Sequence, residues 1–290
     1  MTDKKYLHEI QGMHESGGVL YLASTPEDHL KNIKKYEFQK GDVLVNTFSK
    51  SGTTWTQEIL YLLHNGVNPE EASHRPIKHR VPFIDFNRMW SRVMEMTPPR
   101  IFKSHLRSNF FARELRRGDL KVVVTLRNPK DTLVSFYHFY KTNMAFGNFQ
   151  GEWNDFFEII RKGELIYGDW FDFTLGWWSL RNEANVLVLK YEEMKRNPAL
   201  NVQKMADFCG KEISQEQLEL IVDSTSFVKM QKNASVNYAD EAFMKKGETF
   251  MRKGKTGGWK EYFNQEQNQY IDDLLQTRCQ PLGLDFDFED

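Results

Sequence analysis

The sequence predicts an α/β fold in which one central parallel β-sheet is flanked by helices, and three observations carry that expectation. Short apolar runs alternate along the chain with segments of helical periodicity. The first run, Asp42 to Phe48, passes through the polar loop Ser49-Lys50-Ser51-Gly52-Thr53-Thr54 straight into an amphipathic stretch, which makes a strand–loop–helix unit of P-loop-like form. No repeat, low-complexity tract or Pro/Ser-rich linker divides the 290 residues, so one domain over 1–290 is expected.

The elements follow in order. Residues 1–20 show no apolar run long enough for a signal peptide or a membrane span and are expected to be flexible. After the strand at 42–48, Trp55, Ile59, Leu62 and Leu63 recur at helical spacing until Asn65-Gly66 ends the helix. A short strand is expected over Arg100–Lys103. A second buried strand, Lys121 to Leu126, stops at Arg127-Asn128-Pro129, with a helix from about Lys130 to Met144. Val186 to Lys190 reads as a third buried strand. Further helices are expected near Trp153–Arg161, Asp169–Arg181, Pro198–Cys209 and Gln265–Gln276. Residues 233–258 are basic, contain glycine and lack strong periodicity, which suggests a long ordered loop or lid.

Composition narrows the function. Apolar residues make up 40% and charged residues 27%, enough for a core and without the signature of disorder. The formal net charge of −1, with both signs interspersed, offers no track for nucleic acid and no basic face for a membrane. Any anion site must therefore be built locally. Two cysteines, Cys209 and Cys279, make no disulfide framework or metal motif, which fits a reducing compartment and a cytoplasmic protein.

Four segments carry candidate chemistry. A loop entering a helix presents unpaired N–H groups and the positive end of the helix dipole to an anion. In Ser49–Thr54 the glycine permits close approach, Thr53 and Thr54 add hydroxyls, and Lys50 adds a full charge. The same residues would also cap an ordinary helix. Arg127 stands where a parallel strand ends, the place where open α/β sheets bind ligands, and Ser135 follows two helical turns on; a structural ion pair for Arg127 is the alternative. Phe250-Met251-Arg252-Lys253-Gly254-Lys255 sets cations beside a glycine and could close on an anion or form a solvated face. Lys103-Ser104-His105 ends a short strand, and a histidine near its usual pKa of about 6.5 can take a proton from a hydroxyl. Most of the eight histidines of a chain like this one serve the surface or the core, but Lys103 beside His105 favours anion handling.

Taken together, from about Tyr36 to Phe263, these segments resemble the cytosolic sulfotransferase family. That resemblance implies sulfuryl transfer from 3′-phosphoadenosine 5′-phosphosulfate (PAPS) to a hydroxyl of a small molecule, leaving adenosine 3′,5′-bisphosphate (PAP). Lys50-Ser51-Gly52-Thr53-Thr54-Trp55 is similar to the family's 5′-phosphosulfate loop, and Arg127 through Ser135 to its 3′-phosphate site. The resemblance further implies that Trp55 and Phe227 flank the adenine, that Tyr191, Thr225 and Met230 belong to nucleotide-binding segments, and that Phe250, Met251, Arg252, Lys253 and Gly254 close over the nucleotide. His105 takes the position of the catalytic base, with Lys50, Lys103 and Ser135 around the transferring group. Phe83, Phe86 and Phe139, with Lys103 and His105, correspond to the acceptor pocket; the three phenylalanines could equally be core residues. Arg107 replaces a usual proline and Gly258 a usual aspartate, which marks the acceptor mouth and the end of the lid as places where this chain departs from its relatives.

A phenol, with a pKa of about 10, ionises far more readily than an aliphatic alcohol and is the expected acceptor. No metal is expected. A P-loop kinase is the alternative enzyme class, but it needs a strand-end carboxylate for Mg²⁺, and the strands here end in Arg127 and Lys190. A non-catalytic nucleotide-binding scaffold is the other alternative, and the presence of His105 argues against it. The family's usual dimer segment carries Thr-Val and a glutamate where this chain has Asn264-Gln265 and Gln269. The expectation is a monomer, or a dimer through another surface.

Overall fold

The computed structural model describes residues 12–147, 149–238 and 241–289. Four parallel strands, β3 (Asp42–Thr47), β4 (Ile101–Ser104), β5 (Leu120–Leu126) and β6 (Val186–Lys190), lie in the order β4-β3-β5-β6. Val45 pairs with both Lys103 and Val123, and Thr125 pairs with both Thr47 and Leu189, so the carboxyl ends of all four strands meet at one edge. A preceding hairpin joins β1 (His14–Ser16) to β2 (Val19–Tyr21). The flexible N-terminus expected over 1–20 thus differs in its last part: Val19 and Tyr21 are buried in the core, while residues 1–11 lie outside the described residues.

The helices of nine residues or more are α1 (Glu27–Lys35), α2 (Thr53–His64), α3 (Pro129–Thr142), α4 (Trp153–Arg161), α5 (Trp170–Trp178), α6 (Pro198–Cys209), α7 (Gln215–Ser224) and α8 (Gln265–Leu274). Alternation along each strand splits the core in two. Val43 and Val45 face Ile59, Leu60 and Leu63 of α2 and Val202 and Met205 of α6. Leu44, Val122 and Val124 face the opposite layer, where Leu133 and Phe136 of α3 join Phe156 of α4 and Trp177 of α5. A sheet buried on both faces explains why β5 reads Leu-Lys-Val-Val-Val-Thr-Leu with hardly any polar interruption.

Two helix starts fix the functional edge. Asn128 caps α3, its side chain accepting from Asp131 N at 2.8 Å, and Pro129 occupies the first turn where no N–H is needed. Gly52 precedes α2 with φ 99, a conformation that favours glycine, and a Cβ there would lie 2.9 Å from the ring of Tyr191. From 233 to 257 the described residues form no regular helix or strand.

Candidate active site

Because the strands are parallel, the loops that follow them converge. β3 delivers Lys50 and the Gly52 turn, β4 delivers His105, β5 delivers Arg127, and β6 delivers Tyr191. They line one cavity of about 570 Å³, whose wall also includes Thr53, Thr54, Trp55, Lys103, Ser135, Phe139, Thr225, Phe227 and Met230. The segment Phe250, Met251, Arg252, Lys253 and Gly254 closes another side, and Phe83 and Phe86 form the remaining aromatic wall. A volume in this range suits a buried small-molecule site. Ser51 is the exception among the residues singled out in the sequence. Its side chain is buried beneath the loop, with Oγ 3.5 Å from Thr132 Oγ1.

One end of the cavity is an anion cradle. Thr47 Oγ1 and Thr53 Oγ1 lie 2.5 Å apart, which ties the strand end to the first turn of α2. The Arg127 guanidinium donates to Lys50 O at 3.2 Å and to Lys255 O at 3.0 Å, so it joins the cradle loop to the lid segment, while its Nε is buried without a partner. It also lies 4.4 Å from the Tyr191 ring centroid. Trp55 meets Tyr191 edge-on at 5.7 Å, and the Trp55 indole N–H is buried without a partner. The Lys50 ammonium sits 3.6 Å from the Phe250 ring centroid and 4.4 Å from that of Phe139. Burial, followed by repulsion from Lys103, Arg127 and Arg252, holds Lys50 well below its ordinary pKa. Four cations around one cavity oppose each other's charge, and a bound polyanion would relieve that opposition.

The other end is aromatic. Phe83 and Phe86 lie 4.3 Å apart, and the Phe83 ring is 5.0 Å from the imidazole of His105. The His105 Nδ1 lies 2.7 Å from Thr47 O. A carbonyl only accepts, so Nδ1 carries the proton and Nε2 keeps its lone pair. Burial, then the nearby Lys103 and Lys50 charges, hold His105 well below its usual pKa, so the imidazole is neutral at pH 7. Lys103, 4.3 Å from the Phe83 ring centroid, is lowered by burial to about 8.

Sequence reasoning missed three neighbours. Tyr167 lies 5.3 Å from the His105 ring and has φ 72, unusual for a bulky residue and a mark of a constrained position. Its signal was the Tyr167-Gly168 pair, a turn dipeptide set among aromatics. Tyr238 is half-buried in the lid segment and hydrogen-bonds Thr54. Asp85, a lone acid in the run Val81-Pro82-Phe83-Ile84-Asp85-Phe86, is buried behind His105. A charge inside an apolar run was the available sign.

Comparison with known proteins agrees with this geometry. A family model described as the sulfotransferase domain matches residues 40–283. Sulfotransferase 1C2 of Rattus norvegicus is 33% identical over 285 residues, 96% of each chain. Sulfotransferase 1A1 of the same organism is 39% identical over 240 residues, covering 80% of this chain and 82% of the relative. Mouse sulfotransferase SULT7A1, solved complexed with PAP, superposes with a TM-score of 0.78 at 26% identity over 92% of this chain and 93% of its own. Retinol dehydratase, solved with androsterone and PAP, shares the fold at a TM-score of 0.85 and 24% identity, covering 97% of this chain and 93% of its own. The parallel sheet, the strand-end cradle and the match over most of the chain make one statement: the chain belongs to the cytosolic sulfotransferase family and is a PAPS-dependent sulfotransferase.

Proposed function

We propose that the enzyme sulfates the phenolic hydroxyl of a small molecule, with His105 as general base. The observation that carries this reading is the Nδ1 contact of His105 with Thr47 O, which leaves a neutral Nε2 at the junction of the cation cradle and the aromatic slot. Family membership removes the kinase alternative, and the available base argues against a non-catalytic scaffold.

PAPS supplies an activated sulfuryl group on a phosphate that leaves as PAP. The orphaned Arg127 Nε and Trp55 Nε1, together with the mutually repelling Lys50, Lys103, Arg127 and Arg252, fit such a polyanion. In this reading the amides of the Ser51–Thr54 turn, the Thr53 and Thr54 hydroxyls and Lys50 hold the 5′ end. Arg127, Ser135, Arg252, Lys253 and Gly254 hold the 3′-phosphate. Trp55 and Phe227 flank the adenine, and Tyr191, Thr225, Met230, Phe250 and Met251 complete the nucleotide wall. Phe83, Phe86 and Phe139 hold the acceptor ring. His105 Nε2 takes the hydroxyl proton as the acceptor oxygen bonds to sulfur and the bridging S–O bond to the phosphate breaks. Lys50, Lys103 and Ser135 stabilise the charge shifting onto the transferring group and the leaving oxygen.

A screen of phenols, catecholamines, steroids and aliphatic alcohols with sulfur-labelled PAPS tests the acceptor class. Phenols are expected to carry the label. Labelling confined to aliphatic alcohols would overturn the phenolic assignment.

The chain is proposed to be a monomer, or a dimer through another surface: in the segment that the family resemblance marks for dimerisation, the exposed positions include the polar Asn264, Gln265 and Gln269, while Gln267 is turned inward, accepting from Trp153 Nε1 and donating to Asn154, both at 2.9 Å. Light scattering at micromolar concentration is expected to give the mass of one chain; a dimer that Gln265→Glu converts to monomer would contradict it.

A further inference from the structure

We infer that Asp85 is a positioning residue for the reaction: its buried carboxylate fixes the strand end that carries His105 and, through the backbone pairing of its own segment, the register of Phe83 against Lys103. This rests on the reading of His105 and Lys103 given above. Asp85 is fully buried and touches none of the reacting groups directly. One carboxylate oxygen accepts from Ser104 Oγ at 2.6 Å and the other from His105 N at 2.8 Å. Ser104 Oγ in turn accepts from Leu106 N at 3.0 Å. A single carboxylate thereby organises three consecutive residues at the carboxyl end of β4. Thr47 O then fixes the imidazole itself, so backbone and ring of His105 are held from two sides.

The segment bearing Asp85 runs alongside β4. Lys103 N donates to Pro82 O at 2.9 Å, and Ile84 N donates to Lys103 O at 3.0 Å. Phe83, the acceptor wall, is thus registered against Lys103, and Asp85 against His105. Wall, cation and base share one backbone pairing.

A buried carboxylate is costly, and an apolar side chain would serve packing alone at lower cost. The charged and titratable groups around Asp85 are Lys103, Tyr21 and Tyr167, and those around Lys103 are Asp85, Lys50 and His105. Burial raises the Asp85 carboxyl to about 7 and lowers Lys103 to about 8, while each opposes the other's shift. Removing the negative charge lets Lys103 lose its proton at lower pH.

The test is Asp85→Asn, which keeps size but replaces one accepting oxygen by a donor, so that either Ser104 Oγ or His105 N loses its acceptor. PAP affinity and melting temperature are expected to stay near wild type, kcat to fall about 10²-fold, as for a misplaced catalytic group, and the alkaline limb of kcat/KM to move to lower pH. An unchanged kcat, or a loss of kcat matched by an equal loss of PAP affinity, overturns the inference. Should that variant fail to fold, Ser104→Ala removes one donor to the carboxylate; lowered kcat with retained PAP binding is expected, and wild-type kcat overturns the positioning role. His105→Ala is measured in parallel. Activity surviving in His105→Ala sinks the base assignment, whereas an inactive His105→Ala beside a fully active Asp85→Asn sinks only the role of Asp85.

Discussion

Gly254→Ala probes how tightly the lid segment is fitted to the nucleotide wall. Gly254 has φ +62, and a Cβ there would lie 2.3 Å from Phe227 Cδ2, 2.6 Å from Cε2 and 2.7 Å from Cγ. No rotation of a flexible tip relieves this, because the clash meets the body of the ring. Either the ring turns out of its position or the loop lifts. The left-handed backbone costs an alanine roughly 1–2 kcal/mol. A displaced aromatic loses base stacking worth roughly 1–3 kcal/mol. If the free loop relaxes to escape both, binding must restore them, so PAP affinity is expected to fall by about 2–5 kcal/mol, or about 30-fold to several thousandfold. Gly247→Ala is the control: its φ is +86 but a Cβ there meets nothing within 4 Å, so it carries backbone strain without the clash. Titration calorimetry with PAP on both variants, with melting temperatures alongside, separates the two terms. Equal PAP affinity for Gly254→Ala and Gly247→Ala would refute the reasoning.

Two further outcomes follow from the electrostatics of the cavity. Lys103 is expected to lose its proton as pH rises through about 8, so kcat/KM should fall on that alkaline limb, whereas His105, held neutral well below its usual range, contributes no acid limb near 6.5; a profile flat from pH 6 to 9.5 would contradict this. Adenosine 5′-phosphosulfate, which lacks the 3′-phosphate, is expected to be a poor donor, since each charge-assisted hydrogen bond lost from Arg127, Ser135 or the Arg252–Gly254 segment forfeits roughly 1.5–3 kcal/mol, and turnover equal to that with PAPS would remove those residues from the 3′-phosphate site.

What was legible in the sequence depended on how local its cause was. The buried strands showed as β-branched runs, and Asn128-Pro129 marked the start of α3 within a residue of where it lies, because cap and N1 proline act through neighbouring atoms. The edge strand β4, expected over 100–103, covers Ile101–Ser104, a slip of one residue within the usual uncertainty of a strand end. The hairpin at 14–21 was hidden because its strands are three residues each and are stabilised by burying Val19 and Tyr21 against distant parts of the chain. In the site, residues attached to loop motifs were readable, while Asp85 and Tyr167 were not. Their meaning comes from contacts with His105, twenty and sixty-two positions away, that only the folded sheet creates. Within the motif the sequence does not say which way each side chain turns: the turn that brings Lys50 and Gly52 to the cavity sends the Ser51 side chain down to Thr132.

The most direct test of the account is the turnover of His105→Ala with sulfur-labelled PAPS and a phenol, measured beside its PAP affinity. Loss of the base is expected to cost about 10²–10⁴ in kcat, with PAP binding unchanged because His105 lies at the aromatic end of the cavity and not among the cradle residues. Retention of more than about a tenth of wild-type turnover, well above what removal of a general base permits, would contradict the assignment of His105 and with it the proposed mechanism.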